Sequence, residues 1–436
     1  MPRRILMTTW GSLGDLHPYI AVGIGLRQRG HEVTIATSEV YRKKIEGEGL
    51  GFAPVRPDLG QLLLDRDVVK RALDRKTGTE YLVRQLILPF LAEAYEDLAA
   101  AAKDKDLLIS HPVAYALPIV AEKLGLPWIS IVLSPLALFS TSDPPVFAPA
   151  PYLYRLRRLG RWPYTVLYSL FKAQSRAWTT PIHELRRRLG LPRLRAHPLV
   201  EANFSPRGVL CWFSRVLAEP QPDWPPRSEI TGFAFYDRSE SDEQGNPALE
   251  RFLSDGEPPI VFTLGSGAVW QAGNFYGQSL AAAIRLGRRA VLVVGADPQN
   301  QLSGTLPPSV FVAGYAPYSE LFSRAAVTVH PGGIGTTAQA LRAGRPMLIV
   351  PYCHDQPDNA SRVARLGAGR ILDRSNYDAP SAARELSLLL EDSCYTSRAA
   401  EAARRIQAED GVAAACDAIE RIAAGSGTMF KKCENT

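Results

Sequence analysis

A chain of 436 residues is too long for one ordinary core, so two domains are expected. Hydrophobic content of 46% and charged content of 22% are those of a soluble globular protein. The net charge of +6 suits an anionic small molecule or an acidic membrane surface, and no lysine-arginine block is long enough to put nucleic acid first.

The start, MPRRILMTTWGSLGD, is basic, but its apolar run is too short for a signal peptide. RRILMTT reads as a strand, GSLGDLHP as a turn, YIAVGIGLRQRG as a helix ending in glycine and HEVTIATS as a second strand. This is a βαβ unit with a short strand-to-helix loop. DLLIS, a helix through IVAEKLG, and PWISIVLSP repeat it, which implies a parallel sheet covered by helices. His111, Glu122, Lys123 and several prolines interrupt residues 107 to 139, so that region is two buried strands and a helix rather than a membrane span.

Residues 140 to 200 mix proline, aromatics and arginine, and read as loops and irregular helices on the rim of the sheet. GVLCWFS is read as the last strand of the first half, and the proline-rich AEPQPDWPPRS as a linker. The alternation then restarts through EITGFAF, PPIVFTLGS, RAVLVVG, SVFVAGY, VTVHPGG, PMLIVPY and RILD, and the tail is helical. The expected domains are 1–217, a linker at 218–228, a second α/β domain at 229–405, and a C-terminal helix and tail at 406–436. The five cysteines, Cys211, Cys353, Cys394, Cys416 and Cys433, are scattered without CxxC or metal spacing, as in a reduced cytoplasmic protein.

Ligands of open parallel sheets bind beyond the carboxyl ends of the strands, which selects the strand-to-helix loops. HPGGIGTT follows a strand and opens a helix, so its N–H groups converge at a positive helix terminus suited to phosphate. Gly332, Gly333 and Gly335 permit close backbone approach, while Thr336, Thr337 and His330 add donors. The HDQPDN loop ends the next strand and opens on the same side. Asp355 and Gln356 there suit neutral hydroxyls one unit beyond the phosphate, because a carboxylate repels phosphate itself. Phosphate followed by polyol describes a nucleotide-activated sugar. Ser266, in FTLGSGA, offers a second phosphate contact, and Tyr315 an aromatic face for a nucleobase. In GSLGDLHP, Asp15 and His17 place a carboxylate and an imidazole at the cleft, and either could remove a proton from an acceptor hydroxyl. The loop is GxxG rather than the GxGxxG of a dinucleotide fingerprint, so an NAD enzyme is remote.

These motifs, GSLGDLHPY, GYAPYSELF and the forty residues from HPGGIGTT to RVARLGAG, resemble the two-domain, GT-B type glycosyltransferases of family 1, nearly end to end. The resemblance implies two Rossmann-like α/β domains facing each other across a cleft, with the acceptor on the first lobe and the donor on the second. It implies that His330, the Gly332-Gly333 turn, Thr336, Thr337 and Ser266 hold the donor diphosphate, that Tyr315 stacks on the base, and that Asp355 and Gln356 bind sugar hydroxyls. It further implies inversion by direct displacement, without a metal or a cofactor beyond the UDP- or dTDP-sugar. GDLHP puts Asp15 where plant members carry a catalytic histidine, and DLLISHPVAY puts His111 where their orienting carboxylate stands. The expectation is an exchanged pair, with Asp15 as base and His111 orienting it or sharing its proton. Two departures concern the donor end: Pro331 replaces a second histidine of bacterial relatives, and Cys353 replaces a tryptophan of the plant signature.

The acceptor is expected to be a hydroxyl compound that is lipophilic or aromatic, against a wall formed by Phe139, Phe147, Tyr152 and Trp162. The basic, aromatic YLYRLRRLGRWPYTVLYSLFK suits peripheral contact with a membrane. The competing class is a nucleotide-sugar epimerase or a non-catalytic nucleotide-sugar-binding module of the same fold. Donor sugar, acceptor and oligomeric state are left open by the residues.

Overall fold

A computed structural model describes residues 2–62, 65–237 and 246–425. It consists of two parallel sheets flanked by helices. The first has seven strands, β1 (Arg4–Thr8), β2 (Glu32–Thr37), β3 (Gly51–Pro54), β4 (Leu107–Ser110), β5 (Trp128–Val132), β6 (Val209–Cys211) and β7 (Ser228–Ile230), in the order β3-β2-β1-β4-β5-β6-β7. The second has six, β8 (Ile260–Thr263), β9 (Ala290–Val293), β10 (Val310–Ala313), β11 (Val327–His330), β12 (Met347–Ile349) and β13 (Gly369–Ile371), in the order β10-β9-β8-β11-β12-β13. Central strands such as LLIS, IVFT, AVLV and VTVH are buried at every position, because helices cover both faces and leave no polar side for alternation.

Strand order reverses direction between β1 and β4 in one sheet and between β8 and β11 in the other. Neighbouring loops diverge at such points and leave a crevice at the carboxyl ends of the strands. The carboxyl ends of these four strands and the segments that follow them carry Asp15, His111, Ser266 and His330: Asp15 in the first turn of a helix, His111 just past β4, Ser266 just past β8 and His330 as the last residue of β11.

One boundary differs from the sequence reading. EITGFAF, expected to open the second lobe, instead gives β7, whose Ser228, Glu229 and Ile230 pair with Val209, Leu210 and Cys211 of the first sheet. The crossover to the second lobe therefore follows Ile230, beyond the linker expected at 218–228. At the other end, the helix Gly411–Ala424 returns to the first lobe and packs on the helix Leu13–Gln28. Gly25 makes that contact close, since a Cβ there would stand 2.9 Å from Val412 Cγ1 and 3.0 Å from Cys416 Sγ. Arg29 then pairs with Asp417 and Glu420 at 2.5 and 2.8 Å. Cys433 and the tail from 426 lie outside the described residues. No helix among the described residues is long and apolar enough to cross a membrane.

Polar contacts join the lobes around the cleft. Thr79 Oγ1 lies 3.0 Å from His354 Nδ1, Ser134 Oγ donates to Asn359 Oδ1 at 3.1 Å, and Val146 N donates to Asp358 at 3.0 Å. Arg362, 1% exposed, bonds both Asp358 of its own helix and Asp143 of the opposite lobe.

Candidate active site

Asp15 is the third residue of the helix Leu13–Gln28, and its Oδ2 accepts from Ser12 N at 2.8 Å. That bond fixes the carboxylate against the helix N-terminus. Gly11 makes the arrangement possible: its φ is +142°, and a Cβ there would stand 2.2 Å from Asp15 Oδ2. The second oxygen, Oδ1, faces His111 Nε2 at 3.6 Å. His111 is buried, and its Nδ1 accepts from Val113 N at 3.4 Å, which leaves the ring proton on Nε2, toward Asp15. The expected exchanged pair is thus side by side.

His17 is not part of it. Two positions along a helix turn a side chain to nearly the opposite face, and His17 packs on Tyr236, ring centroids 5.0 Å apart. Burial, with the Lys44 charge beside it, pushes its pKa down to about 3. The residue one turn on, Tyr19, does face the pair, with its ring 6.1 Å from that of His111 and its hydroxyl buried without a partner among the described residues.

On the second lobe, His330 is fully buried and its Nδ1 accepts from Gly332 N at 3.1 Å. The proton therefore sits on Nε2, which is buried and has no partner among the described residues. Burial lowers the ring pKa to about 3, so this donor is neutral. Gly332 has φ +91°, and a Cβ would lie 2.8 Å from Ile349 Cγ2. Gly333 caps the helix Ile334–Ala343, whose first N–H groups have no intrahelical acceptor. Thr337 Oγ1 is buried without a partner among the described residues, and Thr336 Oγ1 approaches the Cβ position of Gly265, which brings the Ser266 loop alongside. An orphaned imidazole N–H beside an open helix terminus fits a diphosphate.

Asp355 and Gln356 begin the helix Gln356–Leu366 and do not act as equals. Gln356 Oε1 accepts from Tyr352 N and Cys353 N at 2.8 and 3.3 Å, so only its amide nitrogen is free for a ligand. Burial, opposed by a bond from Asn359 and augmented by the Asp15 charge across the cleft, holds the Asp355 pKa up at about 7. Asn359 connects the two loops: its Nδ2 donates to Gly332 O at 2.9 Å and to Asp355 Oδ2 at 2.7 Å. The lobes meet at the same place, where a Cβ on Gly335 would be 3.3 Å from Gly14 Cα. Tyr315, expected under the nucleobase, is 51% exposed at the end of β10.

Of the residues expected to wall the acceptor, Phe139 and Phe147 stack at 6.4 Å within a cluster that includes Tyr168 and Phe171. Tyr152 and Trp162 stand on the outer surface, 68% and 64% exposed, and do not join that wall.

Residues 5–138 match the glycosyltransferase family 28 N-terminal domain, and 278–418 the erythromycin biosynthesis protein CIII-like C-terminal domain. The chain is 33% identical to the O-mycaminosyltylonolide 6-deoxyallosyltransferase of Streptomyces fradiae over 96% of its own length and 97% of that protein's. It belongs to the GT-B glycosyltransferases of family 1.

The glycosyltransferase is also 28% identical to the sterol 3-beta-glucosyltransferase of Debaryomyces hansenii over 99% of its own length, while spanning 28% of that longer protein. Its fold matches the calicheamicin glycosyltransferase CalG4 with a TM-score of 0.72 at 17% identity, covering 98% of this chain and 99% of the other. It matches the spinosyn rhamnosyltransferase SpnG in complex with thymidine diphosphate with a TM-score of 0.66 at 19% identity, covering 96% and 100%. Tyr19 and Asn359, absent from the sequence-based site, each lie four residues after a predicted member, Asp15 and Asp355. Helical spacing was the signal that could have found them.

Proposed function

We propose that this glycosyltransferase moves a hexosyl or deoxyhexosyl group, of glucose or rhamnose type, from a UDP- or dTDP-sugar to a hydroxyl of a small lipophilic or aromatic acceptor. Flavonoids, polyketides, sterols and hydroxy fatty acids are acceptors of that kind. The reading is supported by a macrolide deoxyhexosyltransferase and sterol glucosyltransferases among the relatives. The observation that carries it is the opposition of Asp15, with one oxygen tied to Ser12 N and the other turned to His111, to Asp355 in the donor-side loop.

In this mechanism the acceptor oxygen attacks the anomeric carbon as the bond from that carbon to the diphosphate breaks. The configuration therefore inverts. Asp15 Oδ1 takes the acceptor proton, and His111 Nε2–H steadies that oxygen or shares the proton. Charge developing on the departing diphosphate meets the His330 Nε2–H and the N–H groups of the helix Ile334–Ala343, already in place before reaction. These donors supply the electrostatic role without a metal. Asp355 and the Gln356 amide hold sugar hydroxyls. The compartment proposed is the cytoplasm, in keeping with the free cysteines Cys211, Cys353, Cys394 and Cys416.

The test has two stages. Thermal unfolding with a panel of UDP- and dTDP-sugars identifies the donor as the one that raises Tm with the logarithm of its concentration. NMR of the product with that donor and a phenolic or sterol acceptor then reads the anomeric configuration in the presence of EDTA. Retention of configuration, or turnover abolished by EDTA, refutes the mechanism, and release of a free epimer without acceptor refutes the function.

A further inference from the structure

Eleven large hydrophobic side chains are exposed among the described residues, and five of them, Tyr152, Leu159, Trp162, Val166 and Leu170, fall between 152 and 170. Such clustering marks a contact surface, whereas single exposed apolar residues need no explanation. Trp162, Val166 and Leu170 recur every four residues along the helix Trp162–Gln174, so they form one stripe on its outer side. The inner side is committed to the lobe, where Tyr168 OH donates to Ser140 O at 3.0 Å and Phe171 stacks on Phe139.

The charge around the stripe is mainly basic, although Arg161 pairs with Asp223 at 3.7 Å and Lys172 with Glu201 at 2.9 Å. From 144 to 183 the chain has no Asp or Glu and six Lys and Arg. Arg155, Arg157 and Arg158 are exposed and form no ion pair among the described residues. Arg176, just past the helix, is in the wall of a hollow of about 850 Å³ whose other basic residues are Arg187, Arg193, Arg195, His183 and His197, with Glu184 the only acid. His197 is 8% exposed and its Nδ1 has no partner among the described residues.

We propose that this face docks the enzyme on an anionic lipid bilayer, with Trp162, Val166 and Leu170 entering the headgroup boundary and the arginines meeting lipid phosphates. Tryptophan with aliphatic neighbours, edged by basic residues, is the chemistry of an interfacial helix. A second copy of the chain fits poorly, because a two-fold contact would set Arg155, Arg157, Arg158 and Arg176, which form no ion pair among the described residues, against the same four of the other copy. The docked helix shares its inner side with the Phe139–Phe147 cluster, so a lipophilic compound leaving the bilayer would meet aromatic surface first. The inference goes beyond the transfer reaction and is tested without donor or turnover.

The full chain is sedimented with phosphatidylcholine vesicles, alone or mixed with phosphatidylglycerol. Binding to the anionic vesicles only, weakening as salt is added, is expected. Brominated acyl chains should quench tryptophan emission in the wild type and much less in Trp162→Phe. Val166→Ser with Leu170→Ser, and separately Arg155→Glu with Arg158→Glu, should each lower the partition coefficient about tenfold or more. All four positions are exposed, so an unchanged Tm shows that the variants fold. Absence of binding, equal binding to neutral vesicles, or binding insensitive to both variants overturns the proposal. So does self-association abolished by the same variants, which would assign the face to a second copy.

Discussion

Asp15 Oδ1 stands 3.6 Å from His111 Nε2, while Asp15 Oδ2 is held by Ser12 N. One oxygen is thus structural and the other is available to a proton. Asp15→Asn keeps an oxygen for Ser12 N and loses the base, so kcat should fall about 10²- to 10⁴-fold with little change in Tm or in the KM for donor. His111→Ala should lower kcat by a smaller factor and again spare the donor KM. Full activity in His111→Ala would remove the pair from the mechanism.

His330 is expected to bind donor as a neutral group. His330→Ala should weaken nucleoside diphosphate binding by about 1.5–3 kcal/mol, roughly ten- to hundredfold in Kd. His330→Gln, which keeps an N–H, should recover part of it. With a ring pKa of about 3, the wild-type to variant affinity ratio should stay flat from about pH 5 to 8. The sign for stability follows from the unfolded imidazole near 6.5. The stabilising contribution is full above that value and is lost as pH falls toward 3, because the unfolded chain takes the proton first. A His330→Ala variant as acid-sensitive as the wild type in calorimetry would contradict this.

The two loops of the proposed donor end were legible in the sequence because each is local. HPGGIGTT and HDQPDN each lie within one strand-loop-helix unit, and hydrophobic β11 and β12 do pair as neighbours. What required the fold was partner choice. Nothing in EITGFAF states which sheet its first residues join, because a three-residue edge strand is decided by tertiary pairing. The inward turn of the Gln356 carbonyl follows from two loop N–H groups that need an acceptor, which only the folded turn reveals. His17 is different, since helical periodicity alone separates it from Asp15. Tyr152 and Trp162 were placed by composition in a pocket whose aromatic wall is formed by their neighbours.

Asp355 should make stability fall with rising pH. Its folded pKa of about 7 lies above the 3.8 of an unfolded aspartate, so its contribution is full below that value and is lost as pH rises through 7. Asp355→Asn removes this titration. The Tm difference, variant minus wild type, should therefore grow between about pH 4 and 7 and level off above. The same variant should weaken binding of the sugar nucleotide more than that of the bare nucleoside diphosphate. A pH-independent difference in Tm would show that the carboxyl is not held protonated.

Arg362 joins the lobes through charge that cannot be left unpaired. Its side chain is 1% exposed, Asp358 is 2% exposed, and Asp143 of the opposite lobe is 19% exposed. Removing the guanidinium leaves the Asp358 carboxylate without a cation and Asp143 with only the partly exposed Arg365 at 3.0 Å, so Arg362→Ala should cost about 3–5 kcal/mol in denaturant unfolding. Most of that is the penalty of orphaned charge rather than the worth of the pair. Arg362→Met combined with Asp143→Asn and Asp358→Asn should therefore be more stable than Arg362→Met alone, a coupling that double-mutant analysis reads directly. Val146 N keeps an acceptor in the amide oxygen of Asn at 358, so the rescue does not open a new unsatisfied donor there. If the triple variant is no more stable than Arg362→Met, the network is not held together by compensation of charge.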